Sequence, residues 1–234
     1  MISFVVPAYN EERLLGATLD ALHEAGRTIG EAFEIIVTDD ASTDRTAEIA
    51  AQRGAIVVAT SKRQIAATRN AGAGAARGEW LIFVDADTVV NEAVMRAALL
   101  ALRGGAVGGG AAVAFDGRVP FYARLLLPLV VHGFRWAGYA AGCFVFCTRA
   151  AFDAVGGFDE RYFGAEEIFI SRALKRQGRF VVLRETVLTS GRKLRTYSGL
   201  ETLGMMLRLA LRGPKAVRQR QGLELWYGPR RDDV

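Results

Sequence analysis

The chain has 234 residues, 51% of them hydrophobic and 24% charged, with a formal net charge of +5. These values exclude a disordered, collagen-like or disulfide-dense chain and suit one folded domain with a sizeable core. The charge is uneven: Arg184 to Arg220 holds nine basic residues against two acidic ones, a net +7. Such a stretch suits diphosphates or an anionic lipid surface, or is a solvated face. No nucleic-acid-binding module accompanies it, so nucleic acid is not expected as a partner. Two cysteines, Cys143 and Cys147, sit in an apolar run and read as core thiols of a reducing compartment. On a strand their spacing would turn both to one face. The opening run Ile2-Ser3-Phe4-Val5-Val6 lacks the order of a signal peptide, and the expected location is cytoplasmic.

Strand and helix signals alternate through the first half. Ile2 to Val6 reads as a buried strand and Glu11 to Ala25 as a helix with Leu14, Leu15, Leu19 and Leu22 on one side. Glu34 to Thr38 is a second strand, Thr43 to Gln52 a short helix and Ala55 to Ala59 a third strand. Gln64 to Ala76 is an Ala-rich helix, Trp80 to Val84 a buried strand, and Asn91 caps a helix running to about Leu102. Short apolar strands between helices predict an α/β domain with a mainly parallel central sheet flanked by helices.

The second half is less regular. Ala106 to Phe115 reads as a strand, and Val119 to Tyr139 as a buried or interfacial helix broken near Pro128. Arg124, His132, Arg135 and that proline argue against a transmembrane span. Cys143 to Cys147 and Phe180 to Leu183 read as strands, Glu166 to Arg176 as a helix, and Thr196 to Leu211 as an amphipathic helix. The expected organisation is a single domain over 1–234, with a nucleotide-binding half (1–105) and an acceptor-side half (106–234) ending in basic helices.

Three of the early strands run into chemistry-bearing residues: Pro7-Ala8-Tyr9-Asn10-Glu11, Asp39-Asp40 and Asp85-Ala86-Asp87. In open α/β sheets such strand ends are where ligands bind. Alternate carboxylates at Asp85 and Asp87 can share a hard divalent cation, or cap the next helix. Asp39 and Asp40 are turn and cap residues, or acceptors for a ring N–H of a base on which Tyr9 stacks. Arg69 can hold Asp39, Asp40 or a phosphate. Glu166 and Glu167 follow Gly156-Gly157-Phe158-Asp159-Glu160 and open a helix, where the helix dipole favours them. As a functional pair, one of them is a general base for an acceptor hydroxyl. Ser190-Gly191-Arg192-Lys193 is a basic loop able to close over a diphosphate.

These segments, with Arg69-Asn70 among them, occur in the order found in the family 2 nucleotide-sugar glycosyltransferases, which the chain resembles over about residues 2 to 180. The resemblance implies the GT-A (nucleotide-diphospho-sugar transferase) fold, a nucleotide-sugar donor and a divalent cation, Mn2+ or Mg2+. It implies that Tyr9 and Asp40, beside Pro7 and Glu11, hold the nucleotide, with Arg69 steadying that end of the site. Asp87 would be the principal metal ligand, with Asp85 supporting the ribose or the metal. The family's Glu-Asp pair is Glu166-Glu167 here, and the implied reaction is inverting, by direct displacement with a single base. No histidine follows that pair, and Arg192 or Lys193 would supply positive charge in its place. A sugar nucleotidyltransferase would want a Gly-rich basic loop after the first strand, which is absent. A non-catalytic scaffold would not need the acids. The apolar Val119 to Tyr139 stretch and the basic C-terminal region suggest a lipid-linked acceptor and peripheral contact with an anionic membrane.

Overall fold

The structure, a computed structural model, describes residues 1–199, 201, 202, 204 and 213–228. One eight-stranded sheet has the order β3-β2-β1-β4-β7-β6-β8-β5. The strands are β1 (Ile2–Ala8), β2 (Phe33–Asp40), β3 (Ile56–Thr60), β4 (Trp80–Val84), β5 (Thr88–Val89), β6 (Gly108–Phe115), β7 (Phe144–Thr148) and β8 (Phe180–Thr189). The helices are α1 (Leu15–Ile29), α2 (Thr46–Gln52), α3 (Ile65–Ala75), α4 (Glu92–Arg103), α5 (Phe121–Ala137), α6 (Arg149–Val155), α7 (Glu166–Lys175), α8 (Arg192–Thr196) and α9 (Glu224–Tyr227).

Strand alternation divides the core between two faces. Ile2, Phe4 and Val6 of β1 pack with Leu15, Leu19 and Leu22 of α1 and with Met95 and Leu99 of α4. Val5, Leu81 and Phe83 turn the other way, against Ala66 and Ala73 of α3, Phe152 of α6 and Ile170 and Leu174 of α7. Both faces are covered, which is why the strands read as continuous apolar runs. The small residues of α3 let it lie close to the sheet: a Cβ on Gly72 would meet Thr38 Oγ1 at 2.4 Å and Val5 Cγ1 at 2.5 Å.

The sheet is mixed, so the mainly parallel expectation holds only in part. Strands β1 to β4 pair in parallel with one another, but β7 is antiparallel to both of its neighbours, β4 and β6, and β5 is antiparallel to β8. Because β6 and β8 pair in parallel, six strands share a direction and β7 and the two-residue β5 oppose it. Phe144 to Cys147 is buried throughout, and an apolar run of that kind carries no sign of strand direction. The reversal brings the start of β7, at Gly142-Cys143, to the same sheet edge as the ends of β1, β2, β4, β6 and β8.

Other boundaries shift for local reasons. Helix α1 begins at Leu15, not Glu11, since the Glu11 amide is bound to Thr46 Oγ1 at 2.8 Å. Helix α2 begins at Thr46, not Thr43, whose amide donates to Asn10 Oδ1. Helix α5 runs unbroken through Pro128, which is exposed along with Arg124 four residues earlier. The carbonyl that loses its partner therefore faces solvent. Strand β8 continues past Leu183 to Thr189 because it gains β5 as a second partner. Cys143 precedes β7 and faces the α1–α4 side, whereas Cys147 faces α7; both are buried free thiols on opposite sides of the sheet. Most of the amphipathic helix expected over Thr196 to Leu211 lies outside the described residues.

Candidate active site

Two tied loops form one wall of a cleft at the carboxyl edge of the sheet. Asn10 and Ala41 adopt positive φ (50° and 58°) after β1 and β2. The Asn10 amide donates to Ser42 Oγ at 2.9 Å while Asn10 Oδ1 receives the Thr43 amide at 2.8 Å. Asp39 Oδ1 accepts the Ser42 amide and Asp44 Oδ1 the Thr46 amide, so both act as turn residues. Asp40 is buried and caps α3 from across the loop: it accepts from the Arg63 amide (2.8 Å), the Gln64 amide (3.1 Å) and Thr68 Oγ1 (2.9 Å). The Arg63 guanidinium lies 3.1 Å from the centroid of the Tyr9 ring, the position foreseen for a base.

Arg69 of α3 organises the centre. Its side chain is 2% exposed and reaches across the sheet edge rather than back to Asp39 or Asp40. Nη1 donates to Glu166 Oε1 at 2.7 Å, and Nη2 donates to Asp85 Oδ1 and to the Gly142 carbonyl, both at 2.8 Å. Burial works against its charge, but Asp85 and Glu166 hold it protonated, above its ordinary value. Asp85 is pushed up by burial and by Asp87, against the pull of Arg69. Asn70, the next residue, clamps the glycine turn: Nδ2 donates to the Phe158 carbonyl and Oδ1 accepts the Phe158 amide. Gly157 has φ +78°, and a Cβ there would meet Asn70 Oδ1 at 2.7 Å, so only glycine suits that contact.

Glu166 and Glu167 occupy the first turn of α7, where the helix dipole favours them. Glu166 is buried and committed to Arg69. Glu167 is half-buried and borders Gly142; burial first, then the neighbouring Glu166, pushes its carboxyl group up to about 8. The two members of the pair are therefore unequal.

On the far side, β5 pairs with the end of β8 and ties the acidic segment to the basic turn. Thr88 Oγ1 donates to Thr189 Oγ1 at 2.8 Å, and the Ser190 amide donates to the Asp87 carbonyl at 3.1 Å. Arg192 Nη2 then donates to Glu11 Oε1 at 2.5 Å and to Asp87 Oδ2 at 3.2 Å. Asp116, at the end of β6, accepts the Gly191 amide and the Arg195 guanidinium.

The cleft brings together Pro7, Tyr9, Glu11, Asp40, Arg69, Asp85, Asp87, Glu166 and Glu167, with Lys193 at its edge. Arg192 touches it through Glu11 and Asp87. Sequence reasoning missed Arg63, Gln64, Thr68, Gly142 and Cys143. The cap given by Asp40 and the reversal of β7 bring these in, and neither has a local signature. Trp226, Tyr227 and Gly228 also line the cleft, with the Ile65 amide donating to the Tyr227 hydroxyl at 3.3 Å, which decides the place of the C-terminal aromatic pair.

Six carboxylates face three cationic side chains (Arg63, Arg69, Lys193) in this lining. An anionic ligand meets net repulsion there unless a cation accompanies it, and hard oxygen donors suit Mn2+ or Mg2+. Among the described residues no group of three or more His, Cys, Asp or Glu forms a complete metal cage. The donor set therefore fits an ion held by one or two carboxylates and completed by substrate phosphates.

Ligands bind at strand ends of this kind on α/β sheets, and comparison with known proteins gives the family. Residues 3–157 match the family model described as glycosyl transferase family 2, and the chain belongs to that family. The undecaprenyl-phosphate 4-deoxy-4-formamido-L-arabinose transferase of Pseudomonas paraeruginosa is 41% identical over 99 residues, covering 37% of this chain and 28% of that protein. The succinoglycan biosynthesis protein ExoO of Rhizobium meliloti is 36% identical over 95 residues, covering 38% and 26%. The aligned stretch is thus just over a quarter of the length of these relatives. Among solved structures, the Pyrobaculum calidifontis mannosyltransferase in complex with GDP-Man and Mn2+ superposes with a TM-score of 0.66 at 21% identity, covering 90% of this chain and 61% of that one. The glucosyl-3-phosphoglycerate synthase of Mycobacterium tuberculosis, in complex with Mn2+, UDP and phosphoglyceric acid, gives 0.63 at 19% identity, covering 99% and 80%. At those identities the likeness is one of fold, and it supports the GT-A architecture.

Proposed function

We propose that the protein transfers a sugar from a nucleotide-diphosphate sugar to an acceptor hydroxyl by direct displacement with inversion. The observation that carries this reading is the Arg69 bridge, which sets the carboxylate pair of α7 beside the strand-end acids Asp85 and Asp87. Asp87, with Asp85, would hold Mn2+ or Mg2+, which supplies neutralisation of the donor diphosphate and of the departing nucleotide. Tyr9 and Asp40, with Pro7 and Glu11 beside them, form the nucleotide wall, where a base would exchange places with the Arg63 guanidinium on Tyr9. Arg192 and Lys193 meet the diphosphate from the turn after β8. Glu166 is occupied by Arg69, so Glu167 takes the proton of the acceptor hydroxyl. The solved neighbours that hold Mn2+ with GDP-Man or UDP support the donor and cation.

The acceptor hydroxyl is carried on a lipid in this reading; the Pseudomonas relative is named for a lipid substrate, undecaprenyl phosphate. The protein works peripherally at an anionic, cytoplasmic membrane face; among the described residues no helix is long and apolar enough to cross a membrane. Donor hydrolysis across a panel of nucleotide sugars, with manganese, magnesium or chelator, tests the reaction beside an Asp87→Ala control. Metal-dependent release of one nucleotide, lost in the variant, is expected. A panel with neither hydrolysis nor metal-dependent nucleotide binding overturns the proposal.

A further inference from the structure

Helix α5 carries an unusual surface. Of nine large hydrophobic residues exposed among the described ones, four lie on it: Phe121 (81%), Leu125, Leu129 and Trp136 (93%). At 100° per residue these four fall within one quarter of the helix circumference, an apolar stripe with one exposed polar member, His132, set within it. Arg124 and Arg135, both exposed, flank it along one side. From Gly117 to Phe152 the sequence contains four arginines and no Asp or Glu. A stripe about 25 Å long, wet on its apolar side and edged by guanidinium groups, has the makeup of a helix lying in a bilayer interface. Trp136 suits the headgroup boundary, and the arginine stems can lie along the apolar layer with their charges in the phosphate plane.

The position of α5 ties this surface to the cleft. Its N-terminal end follows Asp116, which holds Gly191 and Arg195 of the turn over Asp87. Its C-terminal end leads through Ala140, whose amide donates to Ser171 of α7, to Gly142, whose carbonyl accepts from Arg69. The helix thus leaves and re-enters the sheet at the edge where the cleft opens.

We infer that α5 is a membrane-docking helix that seats the protein on anionic lipid, with the Phe121-Leu125-Leu129-Trp136 stripe in the interface and Arg124 and Arg135 against the headgroups. The inference rests on the proposed transfer to a lipid-linked acceptor and names the surface that would bring that acceptor to the cleft. A second copy of the chain is a poorer occupant, since two such faces would oppose arginines with no carboxylate to pair them.

Sedimentation with vesicles tests it, using phosphatidylcholine alone and phosphatidylcholine with about one-third phosphatidylglycerol, at low and high salt. The wild-type chain should pellet with the anionic vesicles at low salt and be released by high salt. Arg124→Gln with Arg135→Gln should weaken partition roughly 10- to 30-fold, at about a factor of five per basic group. Leu125→Glu with Trp136→Glu should weaken it at least about 100-fold. These are surface positions, so metal-dependent nucleotide binding in solution, measured on the same preparations, should stay unchanged and also report correct folding. Equal vesicle binding by wild type and the Glu variant overturns the inference, as does absence of anionic binding by the wild type. So does a dimer in solution that the Glu variant dissolves. A wild-type chain that binds nucleotide with metal but does not bind anionic vesicles sinks the docking helix alone. The reverse result sinks the transferase reading.

Discussion

Replacing Arg69 with methionine keeps most of the side-chain volume and removes a charge that two acids and a carbonyl share. Asp85, Glu166 and the Gly142 carbonyl then lose donors at 2.7 to 2.8 Å in a setting where Arg69 itself is 2% exposed. Breaking a buried ion pair by removing one partner costs about 3–5 kcal/mol, because the remaining charge stays buried and uncompensated. For a chain of this size that corresponds to a fall in Tm of roughly 6–20 °C. The assay is urea denaturation followed by circular dichroism, with chelator present so that no cation substitutes for the guanidinium. If the cost arises from the stranded carboxylates, Glu166→Gln should relieve part of it. The double variant Arg69→Met/Glu166→Gln should then be more stable than the two single costs added together predict, by on the order of 1 kcal/mol. A single-variant cost below about 1 kcal/mol, or strictly additive costs, would refute the account of Arg69 as the charge that joins α3, β4 and α7.

Glu167→Gln should lower transfer by roughly 100- to 10,000-fold while leaving nucleotide binding nearly unchanged. With its carboxyl group pushed up to about 8, kcat/KM of the wild type should climb with pH and level off above that value, a limb the variant lacks. The stability sign is opposite: the proton retained in the fold contributes stability below the unfolded value of about 4.3 that is lost as pH rises through about 8. A flat profile between those limits would rule Glu167 out. Arg192→Ala should strengthen donor-free Mn2+ binding roughly two- to tenfold, read by electron paramagnetic resonance, because the guanidinium competes for Asp87; unchanged or weaker binding would remove that competition. Asn91→Ala should cost about 1 kcal/mol in urea denaturation, since Asn91 Oδ1 accepts the Val94 amide and caps α4. A neutral result would mean that solvent replaces the cap.

Much of the donor side was legible because it depends on local signals. Apolar strands ending in Asp40 or Asp85-Ala86-Asp87 announce both the sheet and its working edge, and Asn91 caps α4 as its position predicts. What was hidden depends on partners distant in sequence. The direction of β7 is set by its neighbours and has no trace in Phe144 to Cys147, yet it delivers Gly142 to Arg69. Arg69 itself stands on a helix where Asp39, Asp40 or a phosphate was the expected partner. The actual partners, Asp85 and Glu166, lie 16 and 97 positions away. Arg63 on Tyr9 was likewise invisible, because a positive φ at an arginine (51°) is a property of the folded loop.

The rung between Thr88 and Thr189 spans 101 positions. Closing a loop of that length costs conformational entropy that contacts between near neighbours in sequence avoid. The acidic segment ending at Asp87 and the turn bearing Arg192 therefore come together only when both halves of the chain have folded onto one sheet.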